Sequence, residues 1–482
     1  MKFIDDYLNT ITMYRLVLYV LIFYLLVAGT LSLLGLLPFK PINLFFSVGV
    51  LTTVCWAANK IFARLFHAPT NLESVYITAL ILSLIITPIS NFSQILSLVT
   101  LAVLSQGSKY ILAINKKHLF NPAAFAVFTS ALFLKYGASW WVGNPYMVIP
   151  VLIGGLLIVK KVKRFSLILS FLITYLIIIS GQSVFSANSL QFLPSLLESP
   201  VFFFAMIMLT EPQTTPPKKS LQMLYGGLVG VITFYQTPEM ALLAGNIFSY
   251  LVSPKEKLLL KLKEKNKTAK VSYDFVFGMG KKLNFLAGQY MEWTLGHNHP
   301  DARGVRRYFT IAASPTEGNL RIGVKFSPNG SSFKKTLSNL NPGDQIVASQ
   351  LSGEFTLPKD AAKKLVFIAG GIGITPFRSM VKYLIDTKQK RDIVLLYSVK
   401  LEEEIVYQDI FEKAKEVGVQ TVYVVTDKMG LLDEKMIKGK APDYKNRIFY
   451  ISGPHSMVDA FEKTLKNMGV SNIKIDFFPG YA

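Results

Sequence analysis

Apolar residues gather into ten runs before residue 254, near 14–37, 42–58, 74–89, 92–112, 122–136, 145–159, 165–181, 198–210, 221–236 and 239–252. A bilayer core asks for about 20 apolar residues per helix, so the pattern predicts a polytopic α-helical membrane domain of about ten helices over 1–253, several of them tilted or half-length. Beyond that point the period shortens. Short alternating apolar and polar stretches predict a β-barrel over 268–360, and apolar strands alternating with helical periods predict an α/β unit over 361–482. The connection, 254–267, is basic: from Pro254 to Lys270 seven lysines surround a leucine patch, which reads as a short amphipathic helix lying on the inner leaflet.

Composition sharpens this division. A 482-residue chain that is 51% hydrophobic and 17% charged is too apolar to be wholly soluble. The net charge of +21 would ordinarily suggest nucleic acid, but the basic residues stand beside the apolar runs, where membrane lipids account for them and nucleic acid does not. Lys60 and Arg64, then Lys109, Lys116 and Lys117, then Lys160, Lys161, Lys163 and Arg164, then Lys218 and Lys219 fall in alternate loops. The intervening loops hold only Lys40 and Lys135, so the positive-inside rule predicts a multi-pass protein of the cell (inner) membrane with both termini cytoplasmic. The first run follows Asp5 and Asp6 and is too long for a cleavable signal peptide. The single cysteine, Cys55, excludes a disulfide framework, iron–sulfur clusters, thiolate zinc and c-type haem; no metal site is predicted, and any electron carrier is organic.

Within the membrane half, chemistry belongs at polar residues that lipid would penalise. Asn121-Pro122 opens the fifth run with a cap and a first-turn proline, leaving backbone N–H groups for an anion or a carbonyl. Thr210-Glu211-Pro212-Gln213-Thr214-Thr215-Pro216-Pro217 closes the eighth run with an acid and three hydroxyls. The end of the third run, Ile86-Thr87-Pro88, echoes Leu209 to Thr214 on the opposite face, and Asn121 corresponds to Asn246. That echo predicts a 5+5 inverted repeat with a site between its halves.

The stretches Phe120 to Phe125 and Leu209 to Pro217 resemble the membrane subunits, B and D type, of the sodium-translocating NADH:quinone reductase and of Rnf electron-transport complexes. The resemblance implies a second flavin of the FMN type in the membrane domain, with Asn121, Thr210, Glu211 and Thr214 as binding candidates. The family attaches FMN at a Ser-Gly-Ala-Thr type motif that is missing here; Tyr136-Gly137-Ala138-Ser139 is the nearest string and makes Ser139 the candidate. His67 and His118 fall in inward loops, against a bis-histidine haem.

In the barrel, Arg307-Tyr308-Phe309-Thr310 supplies a guanidinium for a diphosphate, an aromatic two residues on and a hydroxyl after it. Gly330-Ser331-Ser332-Phe333 opens a helix whose amides suit a second phosphate. In the last unit a buried strand, Leu365 to Ala369, runs into Gly370-Gly371-Ile372-Gly373-Ile374-Thr375-Pro376, where glycines permit a pyrophosphate to approach a helix start. A second strand ends at Ser452-Gly453-Pro454, where a nicotinamide would lie.

Taken in order, these strings resemble the ferredoxin-NADP reductase superfamily over about 268–482. The resemblance implies FAD on Arg307, Tyr308, Phe309, Thr310, Gly330, Ser331 and Ser332, and NADH or NADPH on Gly371, Gly373, Thr375, Pro376, Gly453 and Pro454. It implies catalytic roles for Thr310, Ser452 and Tyr481, the last in an aromatic tail that covers the flavin. Phe309 stands where the family has Tyr, and Ser452 where it often has Cys. Ser398 and Lys400 could meet a 2′-phosphate, while Glu402, Glu403 and Glu404 would repel it, so the choice between NADH and NADPH stays open.

The expected function is membrane-bound NAD(P)H dehydrogenation: electrons pass from NAD(P)H through FAD to a membrane-bound flavin or a quinone, with other electron-transfer subunits as candidate partners. Three alternatives remain at this point: a redox-driven sodium or proton pump, a transporter with a redox-sensing reductase domain, and a reductase of extracellular flavin or metal.

Overall fold

The computed structural model describes residues 8, 11–66, 72–114, 117–185, 192–253, 258–280, 283–298, 300–301, 304–328 and 330–476. The chain divides into two compact units, Met1–Lys255 with Pro479–Ala482, and Glu256–Phe478.

The first unit is helical: α1 Met13–Leu33, α2 Pro41–Leu65, α3 Leu72–Ile85, α4 Ile95–Ile111, α5 Pro122–Leu134, α6 Pro145–Val162, α7 Phe165–Phe185, α8 Phe192–Leu197, α9 Val201–Phe203, α10 Lys219–Tyr235 and α11 Pro238–Val252. Two short strands, β1 Ala113–Ile114 and β2 Lys117–His118, make an antiparallel hairpin before α5. Every predicted run falls on a helix, but the expectation of ten spans needs correction. Among the described residues only α1, α2 and α6 are long and apolar enough to cross a membrane. Local sequence sets several of the helix boundaries. A polar cap followed by proline starts α5 at Asn121-Pro122, α6 at Asn144-Pro145 and α11 at Thr237-Pro238. The eighth run breaks instead, since α9 passes into a fully buried π turn, Phe204–Met208, that delivers the chain to Thr210 and Glu211. Small residues set the closest packing: a Cβ on Gly226 of α10 would lie 2.4 Å from the Leu167 carbonyl of α7.

The second unit opens on a six-stranded antiparallel sheet with order β6-β5-β8-β3-β4-β7: β3 Leu258–Ala269, β4 Ser272–Gly278, β5 Tyr290–Thr294, β6 Arg306–Thr310, β7 Asn319–Lys325 and β8 Gln345–Ser352, with α12 Ser332–Ser338 between β7 and β8. Here the reading of the connection as an amphipathic linker helix over 254–267 is overturned, because Leu258–Ala269 is strand β3, paired with β4 and β8. Leu260 and Leu262 point into the barrel while Lys261 and Lys263 point out, a period of two. Residues 254–257, where the linker begins, lie outside the described residues.

The α/β part is a parallel sheet of order β11-β10-β9-β12-β13: β9 Leu365–Gly370, β10 Ile393–Val399, β11 Val419–Val425, β12 Ile448–Ser452 and β13 Ile473–Ile475. Its helices are α13 Thr375–Thr387, α14 Gln408–Lys413, α15 Glu434–Lys440 and α16 His455–Asn467. β9 is buried along its whole length, as a central strand covered on both faces must be. The strand order reverses between β9 and β12, and that crevice is where such sheets take nucleotides.

A buried polar seam fastens the sheet's first helix to the barrel. Arg378 of α13 forks onto Glu317, with Nη2 2.9 Å from Oε1, and donates to the Ala312 carbonyl at 2.9 Å. Ser379 Oγ donates to the Ala313 carbonyl at 2.6 Å. Across the same seam, Asp274 of β4 accepts Arg321 Nη1 at 2.8 Å and the Tyr407 hydroxyl. Arg378→Ala strands Glu317 and is expected to cost about 3–5 kcal/mol, lowering Tm by about 10 °C. In a thermal melt, replacing both partners by Met should recover much of that loss.

Candidate active site

On β6, side chains alternate. Arg307 and Phe309 turn with Met291 and Trp293 toward the barrel core, where the Arg307 guanidinium lies 5.3 Å and the Phe309 ring 6.0 Å from the ring of Phe333. Tyr308 and Thr310 occupy the other face with Tyr290, whose ring meets that of Tyr308 edge-on at 5.3 Å. The aromatic that shares a face with Thr310 is therefore Tyr308, while Phe309 shares one with Arg307, two residues before it.

Arg307 and the start of α12 form an anion cradle in which a carboxylate sits. Arg307 Nη2 lies 3.7 Å from Asp301 Oδ1, and the Ser332 amide donates to Asp301 Oδ2 at 2.9 Å. Ser332 Oγ in turn accepts the Asp301 amide at 2.9 Å and stands 2.9 Å from His297 Nε2. Ser331 caps α12, its Oγ accepting the Lys334 amide at 3.3 Å, and the Gly330 amide turns back to the Ser327 carbonyl at 2.9 Å. A guanidinium and a helix-start amide that both hold a carboxylate form a donor set suited to a diphosphate, so these residues fit FAD.

In the sheet, Gly371 has φ of +52° and open space where a Cβ would be, as a turn left clear for a ligand requires. Gly373 serves packing instead: a Cβ there would lie 2.5 Å from the Ser452 carbonyl and 2.6 Å from Gly453 N. Its predicted place beside the pyrophosphate becomes a role in seating the Ser452-Gly453 turn. Gly373→Ala is expected to displace that turn, costing about 1–3 kcal/mol and lowering kcat/KM for the dinucleotide at least about tenfold in steady-state assays. Thr375 Oγ1 donates to the Ile372 carbonyl at 3.2 Å, Pro376 lies in the first turn of α13, and Pro454 caps α16. Ser398 is in register with Gly370, one strand from the turn. These residues fit a nicotinamide dinucleotide laid across the β9–β12 crevice.

Where barrel and sheet meet, Thr310, Ser452 and Asp476 converge. Ser452 Oγ donates to Asp476 Oδ2 at 3.0 Å, the Thr310 hydroxyl lies close enough to act on the same carboxyl group, whose Oδ1 is buried without a hydrogen-bond partner, and the Asp476 amide is tied to the Ile451 carbonyl at 2.9 Å. Burial pushes the Asp476 carboxyl up to about 7, against the pull of the two hydroxyls. Sequence reading missed Asp476, which follows the three-residue strand Ile473–Ile475 with no local signal of its role. Tyr481 lies outside the described residues.

The helical unit brings four of its five candidates together. Glu211 Oε2 accepts Asn121 Nδ2 at 2.9 Å and Thr214 Oγ1 at 3.1 Å, and Oε1 lies 3.1 Å from His118 Nε2. Asn246 Oδ1 accepts the Asn121 amide at 2.8 Å, so the two asparagines matched by the internal echo touch. Asn246 Nδ2 reaches Tyr225 Oη at 3.2 Å. His118, read as a loop residue, is part of this cluster. Thr210 folds its hydroxyl onto the Met206 carbonyl at 2.9 Å and, with Tyr14, Ser74, Thr78, Asn121 and Glu211, lines a small cleft of ≈ 70 Å³ whose other walls are mainly aliphatic. Ser139 is not brought to the cluster. It sits beyond the far end of α5, about 20 Å along that helix, with its hydroxyl on the Ile85 carbonyl at 3.3 Å.

Residues 367–463 match the oxidoreductase NAD-binding domain family. The glycine betaine monooxygenase reductase subunit of Chromohalobacter salexigens is 27% identical over 198 residues, 38% of this chain and 53% of that protein. Flavohemoprotein A of Dictyostelium discoideum is 27% identical over 227 residues, 43% of this chain and 56% of that one. Among solved structures, the cytochrome b5 reductase domain of Ulva prolifera nitrate reductase covers 46% of this chain and 98% of its own, at 24% identity and a TM-score of 0.41. The chain spans about half the length of the curated relatives it matches. The C-terminal half thus resembles FAD- and NAD(P)H-dependent oxidoreductases.

Proposed function

We propose that the chain is a membrane-bound NAD(P)H dehydrogenase that passes electrons from NAD(P)H through FAD to an acceptor in the helical unit, a second flavin of the FMN type or a quinone. The reading is carried by the Ser452–Asp476 bond at the turn after β12, with Thr310 of β6 beside the same carboxyl group. FAD, when bound, supplies the change from two-electron to one-electron transfer. The chain's residues do the rest. Arg307 and the Ser332 amide would hold the diphosphate, the Gly371 turn and α13 would seat the dinucleotide, and Asp476, bonded to the Ser452 hydroxyl, holds a proton beside Thr310.

For the acceptor, support comes from the cleft beside Asn121, Thr210, Glu211 and Thr214, an apolar space with a few convergent polar groups. The three long apolar helices and the basic loops support a multi-pass protein of the cell (inner) membrane with both termini cytoplasmic, open to lipids and to other electron-transfer subunits. Flavin type and stoichiometry on detergent-purified full-length chain test the reading. FAD together with a second flavin supports the flavin relay, and FAD alone moves the acceptor to a quinone. No FAD, or no oxidation of either dinucleotide with ferricyanide, overturns the dehydrogenase.

A buried acid favours one further reading. Glu239, at the start of α11, is buried and accepts Trp140 Nε1 at 3.1 Å, and with the partly buried Glu211 it gives the helical unit two carboxylates. Cation movement coupled to electron flow would use such groups. Proteoliposomes fed NAD(P)H would then take up sodium ions or protons.

A further inference from the structure

We infer that the dinucleotide taken by this chain is NADPH, with its 2′-phosphate held by Ser398, Lys400 and Lys428 at the ends of β10 and β11; this rests on the dehydrogenase reading above. A nucleotide-binding sheet tells the two dinucleotides apart at the end of the strand beside the glycine turn. A carboxylate there takes a ribose diol, and a cation takes a phosphate. The strand beside the turn is β10, whose Ser398 is in register with Gly370 on one side and Val424 of β11 on the other. β10 ends in Ser398 and Val399, followed by Lys400: a hydroxyl and a cation, with no acid.

The acids that follow are turned to other work. Glu404 pairs with Lys325 of β7 at 2.7 Å, and Glu403 pairs with Lys270 after β3 at 3.4 Å. Three residues on, Tyr407 gives its hydroxyl to the buried Asp274 of β4. Glu404, one-fifth exposed, and Tyr407 therefore tie this segment to the barrel, while Glu403 and Lys270 are each about two-thirds exposed and pair only weakly. Glu402 pairs elsewhere, with Lys428 just past β11. Both members of that pair are about two-thirds exposed, so the pairing is weak, and a phosphate dianion would outbid a single carboxylate for the Lys428 ammonium. The Asp427 amide donates to the Lys400 carbonyl at 3.3 Å, which brings the ends of β10 and β11 together and places both lysines at one edge. Asp427 is also the carboxylate that would serve a ribose diol instead, and the test has to separate the two.

The full-length, FAD-loaded chain is titrated with 2′-phospho-AMP and with AMP by calorimetry, and kcat and KM are measured for NADPH and NADH with ferricyanide as acceptor. The expected results are 2′-phospho-AMP bound at least tenfold more tightly than AMP, and a kcat/KM ratio favouring NADPH that resides in KM. Lys428→Ala and Lys400→Ala should each lower that ratio and the 2′-phospho-AMP affinity by about tenfold, as loss of one charge-assisted bond does. Asp427→Asn should raise both. Equal binding of the two nucleotides, or a preference for NADH that Asp427→Asn weakens, overturns the inference. If neither dinucleotide is oxidised, the dehydrogenase reading fails, while the calorimetric comparison still decides the 2′-phosphate site.

Discussion

Asp476→Asn is expected to lower NAD(P)H-dependent reduction of ferricyanide by about 10²–10³-fold, the range in which a positioned acid–base group contributes. The substitution keeps the shape of the side chain and its contact with Ser452 Oγ, but removes a carboxyl group able to gain or lose a proton near neutrality. In the wild-type chain the carboxyl titrates at about 7, so the pH profile of kcat should bend near that value. The variant's profile should be flat there. Stability supplies an independent reading. The folded value lies above the ordinary 3.8, so the folded state holds this proton over a range in which the unfolded chain has released it. The resulting stabilisation is complete below about pH 4 and is lost as pH rises through 7. An uncharged amide escapes that loss, and the Tm of the variant relative to wild type should increase between pH 5 and pH 8.5. A wild-type profile without a bend, or a variant within threefold of wild type, would remove Asp476 from the reaction.

The strings that could be read from sequence are those whose chemistry is local. Arg307 to Thr310 and Gly370 to Pro376 each lie within one strand or one turn, and the structure builds both, with α12 beginning at Ser332 and α13 at Thr375. What was not legible depends on contacts between distant positions. Asp476 meets Ser452 across 24 residues, and His118 meets Glu211 across 93. An acid after a three-residue strand carries no mark of either relationship. The Asn121–Asn246 bond spans 125 residues, and the internal echo matched those positions as equivalents without indicating that they touch. Misreadings came where composition overrode period. Lysines beside an apolar run suggested a membrane-surface helix, although Lys261, Lys263, Lys265 and Lys267 stand two apart, the spacing of a strand. The same period turns Phe309 inward and Tyr308 to the face of Thr310. Gly373 shows a further limit: sequence can say that a backbone must be approached closely, but not whether a ligand or another strand approaches it.

Glu211→Gln should separate the two halves of the proposed electron path. In the folded chain the Glu211 carboxylate is the hub of its cluster, accepting Asn121 Nδ2 and Thr214 Oγ1 and facing His118 Nε2. Asn121 is also tied through its amide to Asn246, so the hub fixes the first turn of α5 against α11. Gln preserves volume and one acceptor oxygen, but it removes the charge facing His118 and presents an amide donor toward groups that themselves donate. With an acceptor bound in the adjoining cleft, that change alters both its position and the proton supply beside it. The expected outcome is a drop of at least about 10²-fold in the ratio of quinone-analogue reduction to ferricyanide reduction, measured with the full chain in proteoliposomes. Glu211→Ala is the harsher change, leaving His118 and Asn121 without their common partner in an apolar surrounding. It should cost about 3–5 kcal/mol and show first as reduced yield. For that reason the Gln variant decides the matter. An unchanged ratio would mean that electrons leave the FAD unit without passing the Glu211 cleft, and equal loss of both activities would mean that the cluster acts on folding alone.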